Sequence, residues 1–370
     1  MKILCVIASL DCGGAQRQLV NITCGLKKRG HVVEFLNYYP QNFFKPQLDQ
    51  ANIPVHLCSK TSRFSIAPIL ALRQLLRHKT FNAVLAFLET EVVYAEIACL
   101  GISGVRLVVS ERSSVRESRV TPSRSAKSRL HLRADAVVTN SYAHREWMAV
   151  RFPYLKNRLH TIWNGIDCAV FHPAGRSTRG TQLRLLGLGR ITPAKNLIAL
   201  AQALGDCLRQ GLPVTLDWAG WSDDAPYHQQ VLRAIEDHKV GKRWSWLGLR
   251  KDIPTLLHQY DALILPSLWE GLPNVVCEAL AAGLPVLASN VSDNARLVQH
   301  GVTGFIFDPK QPDAIAHAIS RFAALDQDSR ARFGCAARAF AEKELSLAAC
   351  ITAYERLLVA SSENYLPALS

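Results

Sequence analysis

The stretch Tyr260–Gly283, YDALILPSLWEGLPNVVCEALAAG, decides how the chain is read. DALILPS is an apolar run of the length of a buried strand. PNVVCEALAAG then reads as a helix opened by Pro273, because a proline in the first turn lacks an N–H that has no helical partner there. Strand, loop and helix in that order are the unit of an open α/β sheet. Such sheets bind ligands beyond the carboxyl ends of their strands. Ser267–Leu272 is the loop at that place. The helix mouth offers free N–H groups and partial positive charge, which suit a phosphate. Glu270 sits in the loop. Glu278 follows Asn274 by four residues, so it shares a helix face with it, and helical side chains lean toward the N-terminus. Two carboxylates then flank a phosphate site, and ionised carboxylates make strong hydrogen bonds to sugar hydroxyls. The pattern reads as a nucleotide-sugar pocket. The plainer alternative is a Glu270 that caps the helix and a solvated Glu278.

The same alternation extends in both directions. In the first half, KILCVIAS, HVVEFLNY, IPVHLC, FNAVLAFL, VRLVVS and ADAVVTN read as strands, with helices such as SIAPILALRQLLRHK between them. Short Val/Ile/Leu-rich strands separated by helices predict a parallel sheet covered on both faces. Periodicity stops in NGIDCAVFHPAGRSTRGTQ, residues 164–182, and restarts at LRLLGLG. The expected organisation is an N-terminal domain over 1–165, a linker at 166–182, a second domain over 183–345, and a closing helix and tail over 346–370. The closing helix, LAACITAYERLLVA, fits either domain. The fold class is α/β, with two doubly wound domains facing across a cleft, the natural place for a ligand.

Composition narrows the partners. Residues 1–165 hold 23 Lys and Arg against 10 Asp and Glu, whereas residues 166–370 hold 20 of each. The whole formal excess of +13 therefore lies in the first half. Such a half suits an anionic partner such as lipid headgroups, or is a solvated basic surface. It lacks a stacked-aromatic pattern or recognition motif, which disfavours nucleic acid. The ten cysteines form no CxxC and no zinc spacing, which points to a reducing compartment. Cys5, Cys99 and Cys277 lie in apolar runs and read as core. MKILCVIASLDCGG reads as a first strand rather than a signal peptide, and no run approaches the ~20 apolar residues of a membrane span. The expected location is cytoplasmic.

Two further constellations carry charge or close approach. GLGRITPAKN, Gly187–Asn196, joins a strand to a helix. There Arg190 and Lys195 either neutralise a diphosphate, taking the place of a metal, or are two surface charges. In SLDCGGAQRQLV, Gly13 and Gly14 separate the first strand from the first helix and either admit a ligand to the backbone or make a tight turn. This is not GxGxxG, so dinucleotide binding is disfavoured.

Together these motifs resemble the retaining GT-B glycosyltransferases of family 4. EGLPNVVCE matches their E-x7-E pattern, GRITPAKN their Arg/Lys phosphate motif, NGID their interdomain signature and GGAQRQL their glycine turn. LPVLASN…LVQHGVTGFIFDP is similar to the segment that follows the second glutamate. The resemblance runs from Gly13 to Pro309. It implies two Rossmann-like domains and no cofactor or metal. Arg190 and Lys195 would hold the donor diphosphate. Glu270, Gly271, Leu272, Pro273, Asn274 and Val275 would hold the hexose and distal phosphate. Glu278 would bind the ribose, Arg250 would neighbour the base, and Gly13 and Gly14 would line the cleft.

Many relatives carry a histidine after a mid-domain strand. Here VRLVVS is followed by Glu111 and Arg112, resembling the SERN-type segment of enzymes that build bacterial surface polysaccharides and lipid-linked oligosaccharides. Glu111 then faces the acceptor or the anomeric centre and Arg112 a phosphate, or the two form a buried pair. His131, His144 and His160 lack motif context and read as surface residues. Asp326–Asp328, DQD, reads as surface rather than a metal motif. The resulting expectation is a retaining, metal-independent hexosyl or N-acetylhexosaminyl transferase, with UDP as the favoured nucleotide. It would act on a glycan or lipid-linked acceptor while attached peripherally to the inner face of an anionic membrane. SSVRESRVTPSRSAKSRLHLR, with Arg116, Arg119, Arg124, Lys127, Arg129 and Arg133, would make the contact. The competing readings are a sugar-nucleotide epimerase or hydrolase on the same fold, and an inactive membrane-associated scaffold.

Overall fold

Runs of Val, Ile, Leu and Phe form strands that are buried on both faces, and this sets the architecture. The structure is a computed structural model that describes residues 1–60, 62, 65–112, 122–173 and 182–360. The chain divides into two compact units. One is Met1–Gly165 together with the C-terminal segment from Leu347, and the other is Ile166–Ser346.

In the first unit the strands are β1 (Lys2–Val6), β2 (Val32–Asn37), β3 (Val55–Leu57), β4 (Ala83–Phe87), β5 (Arg106–Glu111), β6 (Ala136–Thr139) and β7 (Leu159–Thr161). The helices are α1 (Gly14–Lys28), α2 (Lys45–Gln50), α3 (Ala67–His78), α4 (Glu89–Ala98), α5 (Pro122–Leu130) and α6 (Tyr142–Arg151). Among the described residues the sheet runs β3-β2-β1-β4-β5-β6-β7, with every pairing parallel. Alternate residues of β1 serve opposite faces. Ile3 and Cys5 join one apolar cluster, and Leu4 and Val6 join the other. Strand β7 was not anticipated from sequence. It is three residues long and follows a 3-10 turn, Pro153–Arg158, so it shows no usable alternation.

In the second unit the strands are β8 (Leu183–Leu188), β9 (Val214–Ala219), β10 (Trp244–Gly248), β11 (Ala262–Leu265), β12 (Val286–Ser289) and β13 (Gly304–Phe307). Its helices are α7 (Leu197–Arg209), α8 (Ala225–Asp237), α9 (Ile253–Leu257), α10 (Asn274–Ala281), α11 (Asn294–Leu297), α12 (Pro312–Ala323) and α13 (Gln327–Phe340). The parallel order β10-β9-β8-β11-β12-β13 repeats the plan of the first sheet. Its core gathers Leu185, Leu200, Leu204, Leu216, Trp218 and Ile319.

Helix α14 (Leu347–Val359) belongs to the first unit, which settles a choice that the sequence left open. It packs on α1, where Gly25 makes room. A Cβ there would come 2.1 Å from Ile351 Cδ1. Residues 174–181 of the expected linker and 361–370 of the tail lie outside the described residues, as do Arg116 and Arg119. Among the described residues no helix is long and apolar enough to cross a membrane. No two of the ten cysteines are joined. Cys5 and Cys277 are buried as expected, and Cys99 is only partly so.

Candidate functional site

In the second unit, β8 and β11 are neighbours, although their chain connections lead to opposite sides of the sheet. That is a topological switch point, where the loops diverge and leave a crevice. Both charge motifs of the sequence leave from it. After β8 come Gly189, Arg190 and a 3-10 turn, Pro193–Lys195. After β11 comes the loop that ends at Pro273, the cap of α10. A backbone hydrogen bond from Leu268 N to Ala194 O, 2.8 Å, ties the two loops.

Lys195 and Glu270 meet there. Lys195 Nζ donates to Glu270 Oε1 at 2.5 Å, and Ser267 Oγ donates to the same oxygen at 2.6 Å. Both charged side chains are largely enclosed, with 16% and 13% of their surface exposed. Gly189 makes the approach possible. Its φ of +140° disfavours any side chain, and a Cβ there would lie 2.8 Å from Lys195 Cε. Asn196 adopts φ +56° and donates from Nδ2 to the Pro309 carbonyl at 2.8 Å, so α7 begins at Leu197. Ser292 Oγ donates to the Gly271 carbonyl at 2.5 Å, bracing the loop from the end of β12. The proline of this loop is the cap of α10 rather than its first residue.

The other expected donor residues are placed as follows. Leu272, Asn274 and Val275 surround the mouth of α10. Glu278 is buried, not solvated, on the inner face of that helix. Arg190 is exposed and lies 3.5 Å from Asp223. Arg250, after β10, forms a fork onto Asp252 with distances of 2.8 and 2.5 Å. The structure therefore brings Lys195 and Glu270 together, while Arg190 and Arg250 have acidic partners of their own.

The first unit has its own switch point, between β1 and β4. Gly13 caps α1 with an ordinary extended backbone (φ −144°), and a Cβ there would meet only the side-chain amide of Gln16. Leu88 at the end of β4 carries φ +76°, a strained value for leucine and one typical of functional turns. Arg112 is engaged inside the unit and is not paired with Glu111, which corrects the buried-pair expectation. It donates to Ser110 Oγ (3.2 Å), Asn164 Oδ1 (2.6 Å) and the Tyr354 hydroxyl (3.0 Å), and stacks 4.0 Å over Phe87. Glu111 is buried at the end of β5, and its neighbour is His131, 3.6 Å away, not Arg112.

The histidines correct the reading from sequence. His131, in a 3-10 turn, and His144, in the first turn of α6, are buried, and His160, in β7, is partly so, because regular elements rather than solvent surround them. Burial pushes His144 down to about 4, helped by Arg124 and His131, and His160 also to about 4, helped by Arg145 and Arg106. DQD lies on the surface, with Asp326 capping α13 through Ser329 N. Ser267, Ser292, Glu96 and His131 were missed. Ser267 stands inside the decisive stretch, but a lone serine there gives no signal; Ser292 reaches the loop from beyond β12, and Glu96 and His131 meet Glu111 inside the first unit only through the packing of the chain.

Residues 12–170 match the model of Glycosyltransferase Family 4, and residues 173–340 match that of Glycosyl transferases group 1. An Escherichia coli UDP-Gal:alpha-D-GlcNAc-diphosphoundecaprenol alpha-1,3-galactosyltransferase is 31% identical over 179 residues, 44% of this chain and 45% of that protein. Spore coat protein SA of Bacillus subtilis is 29% identical over 228 residues, 56% and 60% of the two chains. The aligned regions thus span about half the length of these relatives. The crystal structure of Anabaena Alr3699/HepE in complex with UDP superimposes with a TM-score of 0.83, covering 97% of this chain and 99% of that one at 23% identity. Two parallel sheets with matching order, a Lys–Glu pair at the second switch point and paired family matches lead to one assignment: the chain belongs to the group 1, family 4-like glycosyltransferases of GT-B fold.

Proposed function

We propose that the protein transfers a hexose or N-acetylhexosamine from a nucleoside diphosphate sugar, with UDP favoured, to a glycan on a lipid carrier, with retention at the anomeric carbon. The observation that carries this reading is the Lys195–Glu270–Ser267 cluster beside the mouth of α10 at the switch point. The ammonium of Lys195 and the carboxylate of Glu270 satisfy one another. A donor substrate would separate them, drawing Lys195 and Arg190 to its diphosphate and leaving Glu270 for the hexose hydroxyls. The main-chain N–H groups of Gly271, Leu272, Asn274 and Val275 receive the distal phosphate, and Glu278 the ribose. Arg250 would have to leave Asp252 to reach the base. As the bond between the sugar and the leaving phosphate breaks, that phosphate accepts the proton of the acceptor hydroxyl on the same face. Fixed cations stabilise the developing charge.

The nucleotides and acceptors of the relatives guide the choice of test. The E. coli relative is named for UDP-Gal and a diphosphoundecaprenol-linked GlcNAc, and the Anabaena structure holds UDP. The experiment is a thermal-shift screen over UDP-, GDP- and ADP-sugars, followed by transfer to N-acetylglucosaminyl diphosphoundecaprenol and to other lipid-linked saccharides. A specific donor at about 100 times its dissociation constant should stabilise the protein by ~2.7 kcal/mol. EDTA should leave turnover unchanged, because Arg190 and Lys195 carry the charge. Strict magnesium dependence would overturn that role. Release of free sugar in the absence of acceptor would point to a hydrolase instead.

A further inference from the structure

Glu96 of α4, His131 of the 3-10 turn His131–Arg133 and Glu111 at the end of β5 form a buried line inside the first unit. His131 Nδ1 lies 2.6 Å from Glu96 Oε1, and Nε2 lies 3.6 Å from Glu111 Oε1. The three residues are 0%, 4% and 9% exposed. A neutral imidazole has one N–H and one lone pair, so it would present a lone pair to one of the two carboxylates. An imidazolium donates toward both.

Charge around the line agrees with that state. For His131, burial acts downward, but Glu96, Glu111 and Glu89 outweigh it, and the net direction is up. For Glu111 the net direction is also up: burial, reinforced by Glu89 and Glu96, outweighs His131 and Arg124, so the nearby cations limit a rise toward the protonated form. Glu89 of α4 is itself paired with Lys127 of α5 at 2.6 Å. A purely structural ion pair is complete with Glu96 alone. The second carboxylate stands at an ion-pair distance beyond hydrogen-bond reach, at the carboxyl end of an interior strand, where doubly wound folds present groups to ligands.

We propose that Glu96 and His131 are positioning residues for Glu111: the imidazolium clamped by Glu96 holds the Glu111 carboxylate, as an anion, at the end of β5 to accept a hydrogen bond from the acceptor hydroxyl. This rests on the glycosyl-transfer reading. Without the adjacent cation a carboxylate this deeply buried would take up a proton and lose its charge as an acceptor.

The test is the pH dependence of kcat/KM for the lipid-linked acceptor, measured beside calorimetric affinity for UDP. Glu111 acts ionised, so activity falls as pH drops through its pKa. Removing the cation raises that pKa and moves the acid limb to higher pH. His131→Gln should therefore shift the limb up by about one pH unit, so that kcat/KM falls by up to roughly tenfold on the acid side of the shifted limb and little on its alkaline side. Activity should recover above pH 8, and UDP affinity should stay within twofold. Glu96→Gln should shift the limb the same way, and Glu111→Gln should remove it. A loss equal at every pH, or an unmoved limb, would overturn the proposal. If these variants do not fold, the 15N shifts of His131 in the wild-type protein decide. A doubly protonated ring at pH 7.5 is expected, and a neutral tautomer overturns the clamp. A wild-type protein that neither binds UDP nor transfers sugar would defeat the donor reading, and the His131 shifts would still judge the clamp separately.

Discussion

Lys195 and Glu270 touch at 2.5 Å with little solvent around them, so each is the condition of the other. Truncating either to alanine should lower transfer by ~10²–10³ through loss of an electrostatic contact to the donor. The double variant should be little worse than the poorer single one, because groups that act as a unit are not additive. Steady-state kinetics on the three variants tests this; losses that multiply would mean the two residues act separately. Protonation gives a second prediction at this scale. His144 has a folded pKa of about 4, below its ordinary 6.5, so the unfolded chain binds the extra proton between these values. Its stabilising contribution is complete above pH 6.5 and is lost as pH falls toward 4. The 2.5-unit gap corresponds to about 3 kcal/mol as an upper figure. Unfolding free energies measured from pH 7 to 4 should fall with this window, and His144→Asn should flatten the slope. An unchanged slope would remove His144 as the cause.

The loops that leave β8 and β11 convert sheet topology into a site, and their glycine is the sensitive point. Gly189→Ala would force a side chain onto φ +140° and against Lys195 Cε. The strain should cost about 1–3 kcal/mol. Donor turnover should fall further than the loss of stability explains, because Lys195 is displaced. A melt combined with a transfer assay separates the two effects, and a variant with normal turnover would show that Lys195 does not need this path. The elements also show what the sequence could tell. Doubly wound sheets were legible because β1, β4, β8 and β11 are unbroken apolar runs bounded by turns. Glu270 and Lys195 were legible because each sits at a strand–helix junction with a proline or glycine beside it. Strand β7 was too short, and the start of α7 is set by a left-handed Asn196 that spacing does not reveal. His131 was misjudged because its partners, Glu96 and Glu111, lie 35 and 20 residues away, and only the packing of α4 against β5 makes them neighbours.

At the scale of the molecule, charge and connectivity make separate demands. The basic excess of residues 1–165 favours an anionic surface, but its contacts are not equal. Arg124 is 4.5 Å over Trp147 and Lys127 is paired with Glu89, whereas Arg129 and Arg133 are exposed. Each free cation near an anionic membrane contributes about 1 kcal/mol. Reversing Arg129 and Arg133 should therefore weaken co-sedimentation with anionic vesicles about tenfold or more, and reversing Arg124 and Lys127 should do less. Equal binding to neutral vesicles would leave the basic half as solvated surface. Connectivity bears on the C-terminal end. The second unit is continuous from Ile166 to Ser346, but the first needs α14 from the far end of the chain. Ile351, Tyr354, Leu357 and Leu358 are buried in its core, Tyr354 accepts from Arg112, and Glu355 pairs with Arg29 at 2.6 Å. Loss of each large buried side chain costs about 2–5 kcal/mol, and a domain has only about 5–15 in total. A chain ending at Ser346 should therefore lose one calorimetric transition and keep the other. If the donor site belongs to the second unit, the shortened chain should still bind UDP while transferring no sugar. Two intact transitions in the shortened chain would show that α14 is dispensable. Loss of both transitions would show that the second unit does not stand alone.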